Sequence, residues 1–89
     1  MDKDTAGVAL PPRAVKLLRW IIAYHRRAGY MPTIREMAVA QRMRSTGSPR
    51  YYLGILERHG HVVRAAGLPR TLCVTEAGHA VAQPGGGNG

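Results

Sequence analysis

The sequence has 89 residues, enough for one small domain with a thin hydrophobic core. Lysine and arginine number 13 against 5 aspartates and glutamates, which leaves a formal charge of +8, and only Lys3 and Lys16 are lysines. Such a surplus indicates a polyanionic partner, although a merely soluble basic protein or the arginine bias of a GC-rich genome would also produce it.

The composition also disfavours several classes of protein. No segment is long enough for a transmembrane helix, and the polar, acidic N-terminus is unlike a signal peptide. No segment joins a basic face to a bulky aromatic apolar face, so we expect no membrane partner. The single cysteine, Cys73, excludes an internal disulfide framework and fits a reducing compartment. We therefore expect a cytoplasmic protein in which Cys73 is a small buried core residue.

The first predicted helix follows residues 1–9, which we expect to form a flexible arm. Pro11 and Pro12 open the helix, since proline is tolerated in the first turn and nowhere deeper. Gly29 ends it after Ala28. Its apolar stripe, spaced at three and four residues, consists of Ala14, Leu17, Leu18, Ile21, Ile22 and His25.

A capping box marks the start of the second helix. Thr33 stands three residues before Glu36, so the Thr33 hydroxyl can accept from the Glu36 amide while the Glu36 carboxylate accepts from the Thr33 amide. Ile34, Met37 and Ala38 then share one helical face. We expect this short helix to fade at residues 40–42.

The third predicted helix carries the outward face on which the function depends. Ser48 before Pro49 is typical of an N-cap followed by proline, although Ser45 or Thr46 would cap a slightly longer helix. Gly60 stops it as a left-handed cap. Its apolar positions are Tyr52, Leu53, Ile55 and Leu56. The opposite face holds Arg50, Tyr51, Gly54, Glu57 and Arg58. Two short helices joined in this way predict a helix-turn-helix, although any small helical domain can contain such a pair.

A β-hairpin is predicted after the helices. Val62 and Val63 begin one strand and residues 72–74 form the other, with turn-forming residues at 66–70 between them. The sequence thus predicts an α+β fold, a three-helix winged helix-turn-helix with a C-terminal two-stranded β-hairpin wing. We expect the domain to span residues 10–78, and residues 79–89 to form a flexible glycine-rich tail.

These residues resemble the N-terminal DNA-binding domain of the LexA repressor family, a winged helix-turn-helix. The resemblance runs from Leu10 to Thr75, and its most specific segment is the G-x-x-P-T-x-x-E pattern from Gly29 to Glu36. The other matching motifs are Leu10-x-x-Arg13, Ala28-Gly29, Met37-Ala38, Arg44-Ser45, and Leu53-x-x-Leu56-x-Arg58-x-Gly60 before two valines. The resemblance implies binding to double-stranded DNA, transcriptional regulation and a nucleoid-associated location. Repression is favoured over activation because nothing in the sequence looks like a polymerase-contacting extension.

Two departures limit what the resemblance implies. The family begins its recognition helix with Ser-Pro-Asn-Ala and acidic residues that read the operator, whereas this sequence has Gly47 in place of the Asn and Arg50 and Tyr51 in place of the acidic pair. We therefore do not expect the family's operator sequence to apply. The matching residues also leave out the family's self-cleaving C-terminal domain, so we expect no damage-induced autocleavage from this chain.

The outer face of the third helix supplies the predicted DNA contacts. We expect Arg50 to bond guanine O6 and N7, and Tyr51 to pack on a thymine methyl group or bond a phosphate. Backbone contacts are expected from serines near the helix N-terminus and from nearby arginines, although a single arginine is more often a solvated surface charge. The full predicted DNA-binding set is Thr33, Arg35, Arg44, Ser45, Ser48, Arg50, Tyr51 and Arg70.

Other functions fit the residues less well. The four histidines lack metal-ligand spacing, and the few carboxylates form no catalytic pair, so we expect neither a cofactor nor enzymatic activity. Two alternatives stay open: an adaptor that binds another protein, and a non-specific architectural binder of DNA or RNA. Because one module covers little DNA, we expect a homodimer or a second regulatory protein to assist, with contacts at Trp20 and Tyr24 or at Leu68.

Overall fold

The computed structural model of the protein describes residues 10–65 and 70–83. Its elements, in chain order, are the helices α1 (Pro12–Ala28), α2 (Ile34–Ala40) and α3 (Gly47–Arg58), the strands β1 (Val62–Val63) and β2 (Cys73–Val74), and the helix α4 (Glu76–Ala82). The two strands are antiparallel, with Val62 opposite Val74 and Val63 opposite Cys73. This is the predicted α+β winged helix-turn-helix, extended by a fourth helix.

Helix α1 forms one wall of the core, against which α3 and α4 pack. Its stripe is buried as predicted at Ala14, Leu17, Leu18 and Ile21, while Ile22 is partly buried and His25 at the end of the stripe is exposed. Gly29 ends the helix with φ of +86°, the left-handed conformation that glycine adopts without steric cost.

Helix α2 begins with the predicted capping box. The Thr33 hydroxyl accepts from the Glu36 amide at 3.2 Å, and the Glu36 carboxylate accepts from the Thr33 amide at 2.8 Å. Met37 and Ala38 face the core and contact the region of α3, where Leu53 and Leu56 are almost fully buried. The buried side of each helix therefore fixes which side faces outward.

The start of α3 differs from the favoured prediction. Ser48 is the second residue of the helix rather than its N-cap, which is Thr46, the alternative considered above. Thr46 makes no side-chain capping bond. Instead the hydroxyl of Ser45, one residue before the N-cap, accepts a hydrogen bond from the Gly47 amide at 3.2 Å. This bond satisfies one of the amides that the first turn of a helix leaves without a partner. Pro49 is buried in that first turn.

The second strand corrects the prediction for Cys73, which is exposed rather than buried. Side chains alternate along a strand, so Leu72 and Val74 pack toward the core while Cys73 points away from it. Val63, its partner on β1, is exposed on the same outer face. Most of the predicted turn, including Leu68, lies outside the described residues.

Helix α4 was not predicted, because the sequence interpretation ended β2 at residues 75–78 and assigned 79–89 to a tail. Thr75 caps the helix by accepting from the Gly78 amide at 3.1 Å, and Ala82 is buried in the core. Residues 79–82 are thus helical, which is contrary to the predicted tail. The arm at 1–9 and residues 84–89 lie outside the described residues, and the division of the chain into arm, domain and tail stays a prediction.

Candidate nucleic-acid interface

The outward face of α3 is polar, cationic and open to solvent. Arg50 is exposed, and Tyr51 keeps 62% of its surface accessible. The Tyr51 ring lies edge-on to that of Tyr52, with 5.1 Å between their centroids, and Tyr52 in turn packs against the core. Arg50, Tyr51, Gly54 and Arg58 follow one another at helical spacing, so they form a single stripe opposite the buried residues of α3.

The positive charge around this stripe has no acidic counterpart among the residues that the structure describes. Five exposed arginines make no ion pair with any described residue, namely Arg35, Arg42, Arg44, Arg50 and Arg58. The two glutamates of α2 and α3 are engaged elsewhere, since Glu57 pairs with Arg64 at 3.1 Å and Glu36 belongs to the capping box. The stretch from α2 to α3 therefore presents net positive charge to solvent.

The N-terminus of α3 adds a free backbone donor to this charge. The Gly47 amide already donates to Ser45, and Pro49 has no N–H. The Ser48 amide donates to no described residue, so it remains available to an anion along with the Ser48 hydroxyl. A helix N-terminus concentrates positive potential, which favours a phosphate oxygen at this position.

Arg70 bonds to other parts of the fold instead of extending freely from the wing. Its guanidinium donates to the Met31 carbonyl oxygen at 2.7 Å and approaches both carboxylate oxygens of Glu36 at 3.4 and 3.5 Å. It also stacks over the Tyr30 ring, 4.8 Å from the centroid. We call this set of contacts the Arg70 clamp. It joins the hairpin to the start of α2, so Thr33, Glu36 and Arg70 form one unit rather than separate surface groups.

The Arg70 clamp changes the acidity of Glu36. The Thr33 amide that donates to the carboxylate lowers the pKa of Glu36 and, although partial desolvation opposes the shift, Arg70 lowers it further. Tyr24 contributes a further bond, its hydroxyl lying 3.3 Å from Glu36 Oε1. Glu36 is consequently a charged structural group, and its carboxylate is paired with the Arg70 guanidinium.

Two of the histidines lie against each other just after α3. His59 and His61 stack with 5.9 Å between ring centroids, and His61 Nδ1 is buried without a hydrogen-bond partner. Burial lowers the pKa of His61, and the nearby His59 lowers it further. Within residues 10–65 and 70–83, no group of three or more His, Cys, Asp or Glu side chains could hold a metal ion.

Most of the predicted DNA-binding residues lie on this surface, and so does Arg42, which the sequence interpretation left out. Arg35, Arg44, Ser45, Arg50 and Tyr51 lie on exposed positions of α2, the turn and α3, and Ser48 is half-buried beside them. Arg42 is exposed in the same turn with φ of +57°, a conformation in which glycine is usual. The sequence contained one signal for this residue, because Arg42 lies within residues 40–42, where the second helix is predicted to end.

No helix among the described residues is both long and apolar enough to cross a membrane.

Comparisons with known proteins point to one family. A family model described as the LexA DNA binding domain matches residues 8–71. The LexA repressor of Frankia alni is 39% identical over 69 residues, which cover 78% of this chain and 26% of that protein. The LexA repressor of Anaeromyxobacter sp. strain K is 37% identical over 79 residues, covering 89% and 34% respectively. That of Lactobacillus delbrueckii subsp. bulgaricus is 33% identical over 66 residues, covering 74% and 32%. The chain spans only 26% to 34% of the length of these curated relatives.

Proposed function

The chain belongs to the LexA DNA-binding domain family, and from this membership we propose that it is a sequence-specific, double-stranded-DNA-binding transcriptional repressor that reads the major groove with α3. The observation that supports the groove-reading role most directly is the outward stripe of α3. It presents exposed Arg50 and Tyr51 while the opposite side of the helix is buried against α1 and α2. A helix held in this way can enter the major groove without disturbing the core.

The roles of the two central residues follow from their chemistry. Arg50 has a planar guanidinium and no acidic partner in the described chain, so it is free to donate two bonds to guanine O6 and N7. Tyr51 offers an exposed ring for a thymine methyl group and a hydroxyl for a phosphate. These two residues carry the base preference in the proposal.

The surrounding groups bind the DNA backbone. Ser48 supplies an amide and a hydroxyl at the positive end of α3, and Arg35, Arg44 and Ser45 supply further donors to phosphate. Thr33 and Arg70, which bond within the chain, support the interface by holding α2 and the hairpin in place. No catalytic step belongs to this proposal.

Repression is proposed because the curated relatives are named as repressors. A module of this size buries little DNA surface, so a second copy of the chain or another regulatory protein completes the affinity. The aromatic pair Trp20 and Tyr24, with ring centroids 5.2 Å apart, is the proposed place for that contact. Light scattering of the free protein and of its complex with a two-half-site duplex tests this, since a constant monomer stoichiometry would exclude the dimer. A cytoplasmic, nucleoid-associated location is proposed with the DNA-binding role.

Selection of binding sites from a random duplex DNA pool tests the proposed function. We expect one motif to emerge and to bind at least about a thousandfold more tightly than random duplex at physiological salt. Arg50→Ala should reduce that preference by about 1–3 kcal/mol, mainly at a guanine position, whereas Arg35→Ala should weaken binding to all sequences alike. Arg13→Ala, at an exposed position of α1 outside the helix-turn-helix, is the matched control and should bind as the unaltered protein does.

Three outcomes would contradict parts of this proposal. Binding that ignores sequence and collapses as salt rises would leave only phosphate electrostatics and would refute the regulator. An absence of duplex binding would point instead to the adaptor alternative. If Arg50→Ala leaves both affinity and preference unchanged, the docking of α3 is wrong.

A further inference from the structure

The outward face of α3 has no side chain at Gly54, one helical turn beyond Tyr51, and we call this gap, with Arg58 beside it, the Gly54–Arg58 notch. Gly54 forms its floor, within the interior of the helix and without a positive φ angle. Apart from its chain neighbours and the backbone of its own helix, a Cβ atom added at Gly54 would have Arg58 Nη1, at 4.0 Å, as its nearest described atom. Neither backbone conformation nor packing among the described residues therefore requires glycine there.

Folding alone would favour alanine at this position. Glycine inside a helix is destabilising relative to alanine, because it loses more backbone freedom when the chain folds. Gly78 in α4 shows the contrasting case, since a Cβ there would collide with the His61 carbonyl oxygen and with Val74. Gly78 has a reason within the fold, and Gly54 has none among the described residues.

Arg58 forms the cationic wall of the same notch. It stands four residues after Gly54, so its side chain shares the outward stripe, and its guanidinium reaches back to the edge of the glycine. Arg58 is exposed and unpaired within the described chain, because the neighbouring Glu57 is bonded to Arg64. The notch thus combines an open backbone floor with an uncommitted guanidinium.

We propose that the Gly54–Arg58 notch seats a backbone phosphate of the DNA strand that borders the major groove. This inference rests on the proposed function, because it assumes that α3 docks in that groove. The guanidinium donates two parallel bonds to the phosphate oxygens, and the bare helix at Gly54 lets the phosphate approach closely. A phosphate contact carries no base information, so the notch fixes the register of α3 while Arg50 and Tyr51 face the bases.

Gly54→Ala is the central test, because its methyl group fills the notch yet leaves Arg58 at ordinary contact distance. We expect the melting temperature to rise and the affinity to fall about tenfold, the scale of overpacking a tight contact by one methyl group. The loss should be equal for the selected site and for random duplex, so their ratio is unchanged. Arg58→Gln should weaken both as well and reduce the slope of log affinity against log salt by about one.

Ala80→Leu provides the matched control. Ala80 is exposed on α4, which packs against α1 and β2, so added bulk there should leave DNA affinity unchanged. Gly54→Ala binding as tightly as the unaltered protein would overturn the notch, and so would a loss confined to the selected site, or a fall in melting temperature. Failure of the unaltered protein to bind duplex DNA would instead refute the proposed function itself, so the two failures are distinguishable.

Discussion

Arg70 and Glu36 meet across the fold, with guanidinium nitrogens 3.4 and 3.5 Å from the two carboxylate oxygens of the capping box. Arg70 achieves this from a left-handed backbone, with φ of +59°. Its conformational cost is offset by bonds to Glu36 and Met31 and by stacking on Tyr30. Arg42 adopts almost the same φ, +57°, but bonds to no described residue through its side chain.

These two arginines should respond oppositely to replacement by glycine. Arg42→Gly relieves left-handed strain without losing a contact within the described chain, so we expect the free energy of unfolding to rise by about 0.5–1 kcal/mol. Arg70→Gly relieves the same strain but loses the Arg70 clamp, so the free energy of unfolding should fall. Urea titration of both variants checks the pair. A loss of stability in Arg42→Gly would mean that its side chain supports the fold.

Acid should weaken the Arg70 clamp through Glu36. The folded-state pKa of Glu36 is lowered below its ordinary value of 4.5, so the contribution of its charge to stability is fully present above pH 4.5. It is lost as the pH falls through the lower, folded-state pKa. Glu36→Gln keeps a capping-box side chain but removes the titration. Its melting temperature should be lower at neutral pH and should depend less on pH between about 5 and 3. Glu76→Gln, at an exposed position of α4, is the control.

His61 should make stability depend on pH in a higher range. Its folded-state pKa is lowered from the ordinary 6.5, chiefly by burial, so the unfolded chain binds the proton more readily. The free energy of unfolding should be highest above pH 6.5. It should decline as the pH falls through that value and level off below the folded-state pKa. Thermal melts from pH 8 to pH 5 should show this decline, and His61→Phe should abolish it. An unchanged decline in His61→Phe would contradict this assignment, and His79→Gln, at an exposed position of α4, is the control.

Gly78→Ala should destabilise the protein strongly. The added Cβ collides with the His61 carbonyl oxygen, which already accepts from the Thr75 amide at 3.0 Å, and with Val74. Relief requires α4 to move from the hairpin, so we expect a loss of about 1–3 kcal/mol in the free energy of unfolding. Ala77→Ser, at the exposed preceding position, is the control and should change stability little. Equal stability of both variants would show that α4 shifts freely.

The features predicted correctly from sequence depend on neighbours along the chain. The capping box of α2, the glycine end of α1 and the outward position of Arg50 all follow from residues within one or two turns. Cys73 was misplaced because a two-residue strand gives too little alternation to establish its phase. Helix α4 was missed because its small residues, such as Gly78 and Ala80, lack an apolar stripe. The Arg70 clamp was unpredictable because Arg70 and Met31 lie 39 residues apart.

That long separation has a consequence for how DNA is met. Because the Arg70 side chain bonds to the Met31 carbonyl oxygen, the two ends of the segment that contains α2, α3 and β1 are held together. A segment closed in this way has few ways to reorient its parts, so α3 keeps its angle to the hairpin in the free protein. In the proposed complex with DNA, less orientational entropy would then be lost on binding. Removing the Arg70 clamp should therefore weaken DNA binding even though Arg70 itself need not touch the DNA.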